Sequence, residues 1–306
     1  MKEEIKACHS ILDLIGQTPL IKLNKVTEHL KGNYYAKVES FNPGHSNKDR
    51  IALYIIEEAE RQGILTPGDT IIETTSGNTG FSLAMVSLLK GYNCVLAVTS
   101  KSSKDKLDML RCMGAKVYVC PAHVSADDPR SYFNVAKRLH EEIKGSIYIN
   151  QYFNQLNVDA HYKTTGPEIW RDTQHQVTHF VSSMGTTGSI MGTSMFLKEQ
   201  NPAVQIVGCQ PTEGSSIPGI RRWPKAYLPK IFDASRVDRI IDISEEDATQ
   251  MARKLAKTEG IFAGMSSGGA CTAALKLASE LESGVIVFIA CDRGDRYLSS
   301  DLFANN

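Results

Sequence analysis

Neither sign of charge prevails in this 306-residue chain: 34 Lys and Arg stand against 34 Asp and Glu, giving a formal net charge of zero and a pI near 7.1. The electrostatic footprint of a nucleic-acid binder or of a polybasic membrane-surface protein is missing, so the expected ligands are small molecules. Long apolar runs are missing too. The longest, Val285–Ala290, is far short of the roughly 20 residues that span a bilayer. Residues 1–6 carry mixed charge with no apolar stretch behind them and do not read as a secretory signal. The seven cysteines (Cys8, Cys94, Cys112, Cys120, Cys209, Cys271 and Cys291) are odd in number and form no C-x-x-C pair, which argues against a disulfide framework or a zinc site. No metal is expected, and a cytoplasmic location follows. There is also no internal repeat, low-complexity tract or linker. With 42% hydrophobic and 22% charged residues, the chain reads as a globular protein of one large or two ordinary domains.

What is present is an alternation of short β-branched runs with longer helical periods, the signature of parallel sheets covered by helices. Strands are predicted at residues 70–73, 93–98, 116–119, 147–149, 178–182, 205–210, 237–243 and 284–290. Helices are predicted at about 48–62, 79–90, 103–113, 130–144, 160–171, 188–200, 245–259 and 267–282, and the fold class is α/β. Three Gly/Ser/Thr/Asn-rich loops, residues 74–80, 183–189 and 264–269, are read as lying between a strand and a helix, where open α/β sheets bind ligands. Each would offer unpaired N–H groups and hydroxyls at a helix N-terminus, a natural anion site. None matches G-x-x-x-x-G-K-[ST] or G-x-G-x-x-G, so neither ATP nor NAD is favoured.

The segment Asn42-Pro43-Gly44-His45-Ser46-Asn47-Lys48-Asp49-Arg50 ends a polar loop and opens an amphipathic helix, with Ser46 as its expected N-cap. Taken alone, Lys48 is one more solvated helix lysine. Desolvated beside helix N-termini, it is instead a nucleophile able to form a Schiff base. Together with Gly16-Gln17-Thr18-Pro19-Leu20 and residues 75–80, 185–189 and 264–269, this segment resembles the ordered motif set of the cysteine synthase family of pyridoxal 5′-phosphate (PLP) enzymes. The likeness runs from about residue 11 to 303. Residues 161–170, 178–188, 213–224 and 291–299 resemble the B-type branch of that family.

The resemblance implies PLP fold type II, with two open, twisted, mainly parallel sheets and helices on both faces. Residues 42–151 would form a smaller mobile domain, and residues 1–41 with 152–306 a larger one. Lys48 would carry PLP and move the Cα proton; Gly185, Thr186, Thr187, Gly188 and Ser189 would hold its phosphate. Asn78 would bond the ring 3′-oxygen, and Ser266 would face the ring nitrogen. Thr75, Ser76, Thr79 and Gln151 would grip the substrate carboxylate. The implied reaction is β-replacement on O-acetyl-L-serine through an enzyme-bound α-aminoacrylate, making L-cysteine with sulfide or S-sulfocysteine with thiosulfate. For the larger donor the candidates are Arg221, Arg222 and Cys291. Their plain readings are solvated arginines and a small buried hydrophobe; their functional reading is an anion-binding guanidinium and a cavity-lining thiol.

His45 and Asn47 depart from the family pattern, which has small or β-branched residues there. His45 reads as a satisfied loop histidine or as a contact to an unusual substrate. Alternative chemistries are use of O-phosphoserine, or of an amino-acid amine as in siderophore-precursor synthesis. A catalytically silent paralogue is the reading from another class. The haem-binding or regulatory extension of cystathionine β-synthase has no room here. A homodimer is implied, with residues 1–25 at its interface.

Overall fold

The computed structural model describes residues 7–125, 127–224 and 227–304. Residues 1–6, read above for a leader signal and as part of a subunit interface, lie outside the described residues. Two sheets organise the chain. The six-stranded sheet has the order β1 (Leu20–Lys22), β2 (Asn33–Val38), β10 (Val285–Ala290), β7 (His179–Ser183), β8 (Gln205–Pro211) and β9 (Arg239–Ile243). All neighbours in it are parallel except the edge pair β1 and β2. The four-stranded sheet, β5 (Lys116–Cys120), β4 (Asn93–Thr99), β3 (Thr70–Glu73) and β6 (Ser146–Tyr148), is wholly parallel. Strands covered on both faces are buried along their length: β10 meets this with an apolar run, five of whose residues are buried, and in β3 all of Thr70–Glu73 is buried, Ile71 and Ile72 between polar ends.

The helices are α1 (Lys48–Arg61), α2 (Asn78–Lys90), α3 (Lys104–Cys112), α4 (Tyr132–Glu142), α5 (Leu156–Lys163), α6 (Thr165–Asp172), α7 (Gly188–Gln200), α8 (Glu245–Lys254) and α9 (Met265–Ala278). On α1 the spacing of Ile51, Ala52, Ile55, Ile56 and Ala59 buries one stripe against the four-stranded sheet's core, which includes Ile71, Leu83 and Leu96. By contrast, α9 is buried nearly all round within the core of the larger sheet.

The sequence reading needs four corrections. Strands β1 and β2 were missed: β1 is short, and β2 carries Lys37, a charge in a central strand that is made tolerable only by ion pairs with Glu168 and Asp172. The helix expected over residues 160–171 is two helices broken at Thr164, because Pro167 has no N–H for the carbonyl of Lys163 and its ring would crowd that carbonyl. Residue 47 rather than Ser46 is the N-cap of α1, although the Ser46 hydroxyl does accept the Lys48 N–H at 3.2 Å. Finally, the loop over residues 264–269 follows α8, a π-helical turn (Leu255–Glu259) and an isolated bridge between Ala263 and Arg293, not a strand.

Candidate active site

Strand order fixes where the site lies. In the smaller sheet the chain runs from β3 outward through β4 and β5, then returns to β3's other side as β6; in the larger one it runs from β7 through β8 and β9, then returns beside β7 as β10. Both reversals leave a crevice at the carboxyl end of the central strand, the usual ligand position in open α/β sheets. The loop after β3 leads into α2, the loop after β7 into α7, and Cys291 follows β10. All three border one cavity of about 240 Å³, as does Lys48 at the start of α1.

On the β7 side, Thr187 holds φ at +72°, a left-handed conformation that is costly for a β-branched residue. Its buried Oγ1 has no partner among the described residues. None of the backbone N–H groups of residues 185–190 finds an acceptor among the described residues. A Cβ on Gly185 would run into the Gly219 carbonyl oxygen, and one on Gly188 into Asn157 Oδ1. A strained turn with free donors at a helix N-terminus fits a phosphate, and that chemistry suits the phosphate of PLP. Thr186, Thr187, Ser189 and Gly185 line the cavity; Gly188 lies behind it, its missing side chain making room for Asn157.

Across the cavity the N–H groups of Ser76, Asn78, Thr79 and Gly80 are likewise without an acceptor among the described residues. Thr79 Oγ1 donates to Gln151 Oε1 at 2.8 Å, which joins the two expected carboxylate ligands. Gln151 is held through its backbone: its N–H donates to buried Glu73 at 3.1 Å, and its carbonyl accepts Asn157 Nδ2 at 2.9 Å. Asn157 also donates to Thr186 Oγ1 at 3.1 Å, so one buried amide ties the residue 183–189 loop to Gln151, which in turn holds Thr79. Desolvation raises the Glu73 carboxyl above its usual range despite the N–H groups of Thr74 and Gln151.

Ser266 opens α9 on the cavity wall, its carbonyl accepting the Ser183 hydroxyl at 2.7 Å. Beside it the Cys291 thiol is pushed up to about 12 by burial and is therefore a neutral lining group at physiological pH. Asp292 is the main feature the sequence reading passed over, although it lay inside a segment cited for the resemblance. Its Oδ2 accepts Asn78 Nδ2 at 2.7 Å and Tyr297 Oη at 2.6 Å, while buried Oδ1 has no partner among the described residues. Burial raises its carboxyl above the usual range. Backbone bonds from Asn47 N to the Cys291 carbonyl (2.9 Å) and from Arg293 N to the His45 carbonyl (3.1 Å) hold this acid beside the lysine loop. His45 itself turns to the Ser40 carbonyl, 3.2 Å from Nδ1, and does not line the cavity.

The two arginines part company. Arg221 reaches the cavity, its guanidinium 5.3 Å from the Trp223 ring and 5.9 Å from that of Tyr152. Arg222 donates to the Pro211 carbonyl at 2.8 Å and pairs with Asp242, so it is drawn to the end of the larger sheet and away from the inner cavity.

Residues 11–292 match the family described as pyridoxal-phosphate dependent enzyme. Cysteine synthase B of Pseudomonas aeruginosa is 50% identical over 96% of this chain and 97% of its own length. The cysteine synthase B of Escherichia coli is 48% identical over 94% of each chain. A crystal structure of O-ureido-L-serine synthase superposes with a TM-score of 0.90 at 36% identity, covering 98% of this chain and 96% of that one. With a family match over most of its length and near-complete coverage by relatives at about half identity, the chain belongs to the pyridoxal-phosphate dependent enzymes, in their cysteine synthase family.

Proposed function

We propose that this chain is a PLP-dependent cysteine synthase acting on O-acetyl-L-serine, and that it takes thiosulfate as well as sulfide. The observation that carries the reading is the meeting of Lys48, two loops of unpartnered N–H groups and Ser266 around one cavity. When bound, PLP supplies the electron sink that lets the Cα proton and then the Cβ substituent of an amino acid leave. Lys48 carries the cofactor through its amine and takes, then returns, the Cα proton. Gly185, Thr186, Thr187, Gly188 and Ser189 hold the phosphate, and Asn78, oriented by Asp292, bonds the ring oxygen. A hydroxyl at Ser266, unlike a carboxylate, would not hold a proton on the ring nitrogen, and that would favour elimination of acetate over a long-lived carbanion. Thr75, Ser76, Thr79 and Gln151 bind the substrate carboxylate.

The second substrate enters past Arg221. Its fork, packed over the Trp223 and Tyr152 rings and making no ion pair among the described residues, is free to take the sulfonate-like end of thiosulfate, giving S-sulfocysteine. Sulfide gives L-cysteine. Cys291 lines the same cavity as a neutral thiol. We further propose the division into a smaller domain of residues 42–151 and a larger one of residues 1–41 and 152–306, a homodimer, and a cytoplasmic location. No helix among the described residues is long and apolar enough to cross a membrane.

Purified protein is expected to show the visible band of lysine-bound cofactor and to change spectrum on mixing with O-acetyl-L-serine. Sulfide or thiosulfate should then restore the original band; a spectrum indifferent to O-acetyl-L-serine sinks the reading. Lys48→Ala should lose the band and about 10²–10⁴ of turnover.

A further inference from the structure

The side chain preceding Lys48 joins parts of the site that the proposed roles leave separate. Lys48 Nζ donates to Asn47 Oδ1 at 2.8 Å, and Asn47 Nδ2 donates to Ser189 Oγ at 3.0 Å. An ammonium can only donate, so the amide oxygen must face Lys48 and the amide nitrogen must face Ser189. Ser189 Oγ lies 3.0 Å from His161 Nε2, and His161 Nδ1 lies 2.8 Å from Thr165 Oγ1. His161 and Asn47 are both buried, and burial together with the charges of Arg50 and Lys48 keeps the imidazole neutral. A buried carboxamide is costly unless both ends are paired, and here one end is paired to the lysine and the other to the anion loop. The hydroxyl hydrogen of Ser189 remains free to serve either His161 or an anion in the cradle. A neutral imidazole accommodates both, accepting from Ser189 in the first case and donating to it in the second.

We propose that Asn47 is a positioning residue: it parks the Lys48 amine whenever the amine is off the cofactor, and it ties that parked position to Ser189 so that the lysine senses whether the anion cradle is filled. The proposal rests on the PLP reading above, but its test does not depend on turnover. In cofactor-stripped protein, the rate at which an amine-reactive reagent labels Lys48 is measured by mass spectrometry, with and without inorganic phosphate and relative to surface lysines. Phosphate is expected to change the Lys48 rate at least about 3-fold in the natural chain. Asn47→Val should label about 5-fold faster and be indifferent to phosphate. Asn47→Asp keeps an acceptor for Lys48 but no donor for Ser189, so it should label slowly yet lose the phosphate response. Ser189→Ala cuts the chain from the other end and should lose that response as well, which covers a failure of the Asn47 variants to fold. In the holoenzyme, Asn47→Val should lower kcat about 10-fold and leave KM for O-acetyl-L-serine within about 3-fold. Equal labelling of the natural and Asn47→Val proteins, or an undiminished phosphate response in Ser189→Ala, overturns the proposal. Absence of turnover with normal labelling behaviour would instead overturn the reading of function and leave Asn47's role standing.

Discussion

Single residues in this site work by being held in states they would not choose alone. Thr187 sits at φ +72° with a buried hydroxyl that has no partner among the described residues, two penalties that a phosphate bound as proposed would offset. Thr187→Gly should therefore raise the melting temperature of the cofactor-free protein, by an amount corresponding to about 1 kcal/mol, and yet weaken cofactor affinity; calorimetry and a cofactor titration separate the two. Arg221 lies over Trp223 and Tyr152 at the cavity wall. Arg221→Ala should raise KM for thiosulfate more than for sulfide, and equal effects in steady-state assays would remove the arginine from donor binding. These roles were only partly legible beforehand. The Gly/Thr-rich loop was visible, since its composition announces a helix N-terminus; the left-handed turn at Thr187 was not, since no local rule puts a threonine there. Arg221 and Arg222 looked interchangeable until Asp242, twenty residues further along, claimed one of them.

At the scale of elements, α1 presents its lysine by being anchored at its first turn. Arg50 bonds Glu39 through Nε at 2.6 Å and Glu168 through Nη1 at 2.7 Å, and Lys37 joins Glu168 at 2.8 Å, all buried. Removing one partner from such a cluster strands the others. Arg50→Met should accordingly cost about 3–5 kcal/mol in denaturant unfolding, whereas an isolated surface pair would cost far less. Burial pushes the Glu168 carboxyl upward, but Arg50 and Lys37 overcome it and hold the group at about 2. That stability is present above the ordinary carboxylate range and drains away as pH falls toward 2. Asp49, next to the lysine, behaves oppositely: burial raises it to about 6 despite hydrogen bonds from Ser82 and Gly44. The folded state binds that proton more tightly than the unfolded one, so Asp49 favours unfolding above pH about 6, an effect that fades as pH falls toward 4. Thermal melts of Asp49→Asn should lack this gain on acidification between pH about 6 and 4, while retaining the loss at lower pH. The elements themselves were largely readable from periodicity, α7 to the residue. The break at Thr164 was missed although Pro167 signals it, and β2 stayed hidden because its buried Lys37 is explained only by partners on α6.

For the whole molecule, the site is a seam. The loop over residues 74–80 belongs to the four-stranded sheet, the loops over residues 183–189 and 264–269 to the larger sheet and its helices, and Asn157 and Asp292 stitch the two sides together by hydrogen bonds. A carboxylate seated on the first loop should draw the four-stranded sheet and its helices inward and exclude water from the reacting centre. Small-angle scattering of the holoenzyme is expected to show a smaller radius of gyration with a bound carboxylate ligand, and superimposable curves would rule closure out. The sequence alone determined the alternation of strand and helix, the balance of charge, the three helix-opening loops and the lysine among them, because periodicity, charge and turn chemistry are local properties. Only the tertiary structure decided that Asn47 meets Ser189, that Asp292 orients Asn78 and that Arg221 rather than Arg222 reaches the cavity. Those contacts join residues many positions apart, and they depend on the strand order of two sheets, which brings the residues to one seam and which no stretch of sequence encodes by itself.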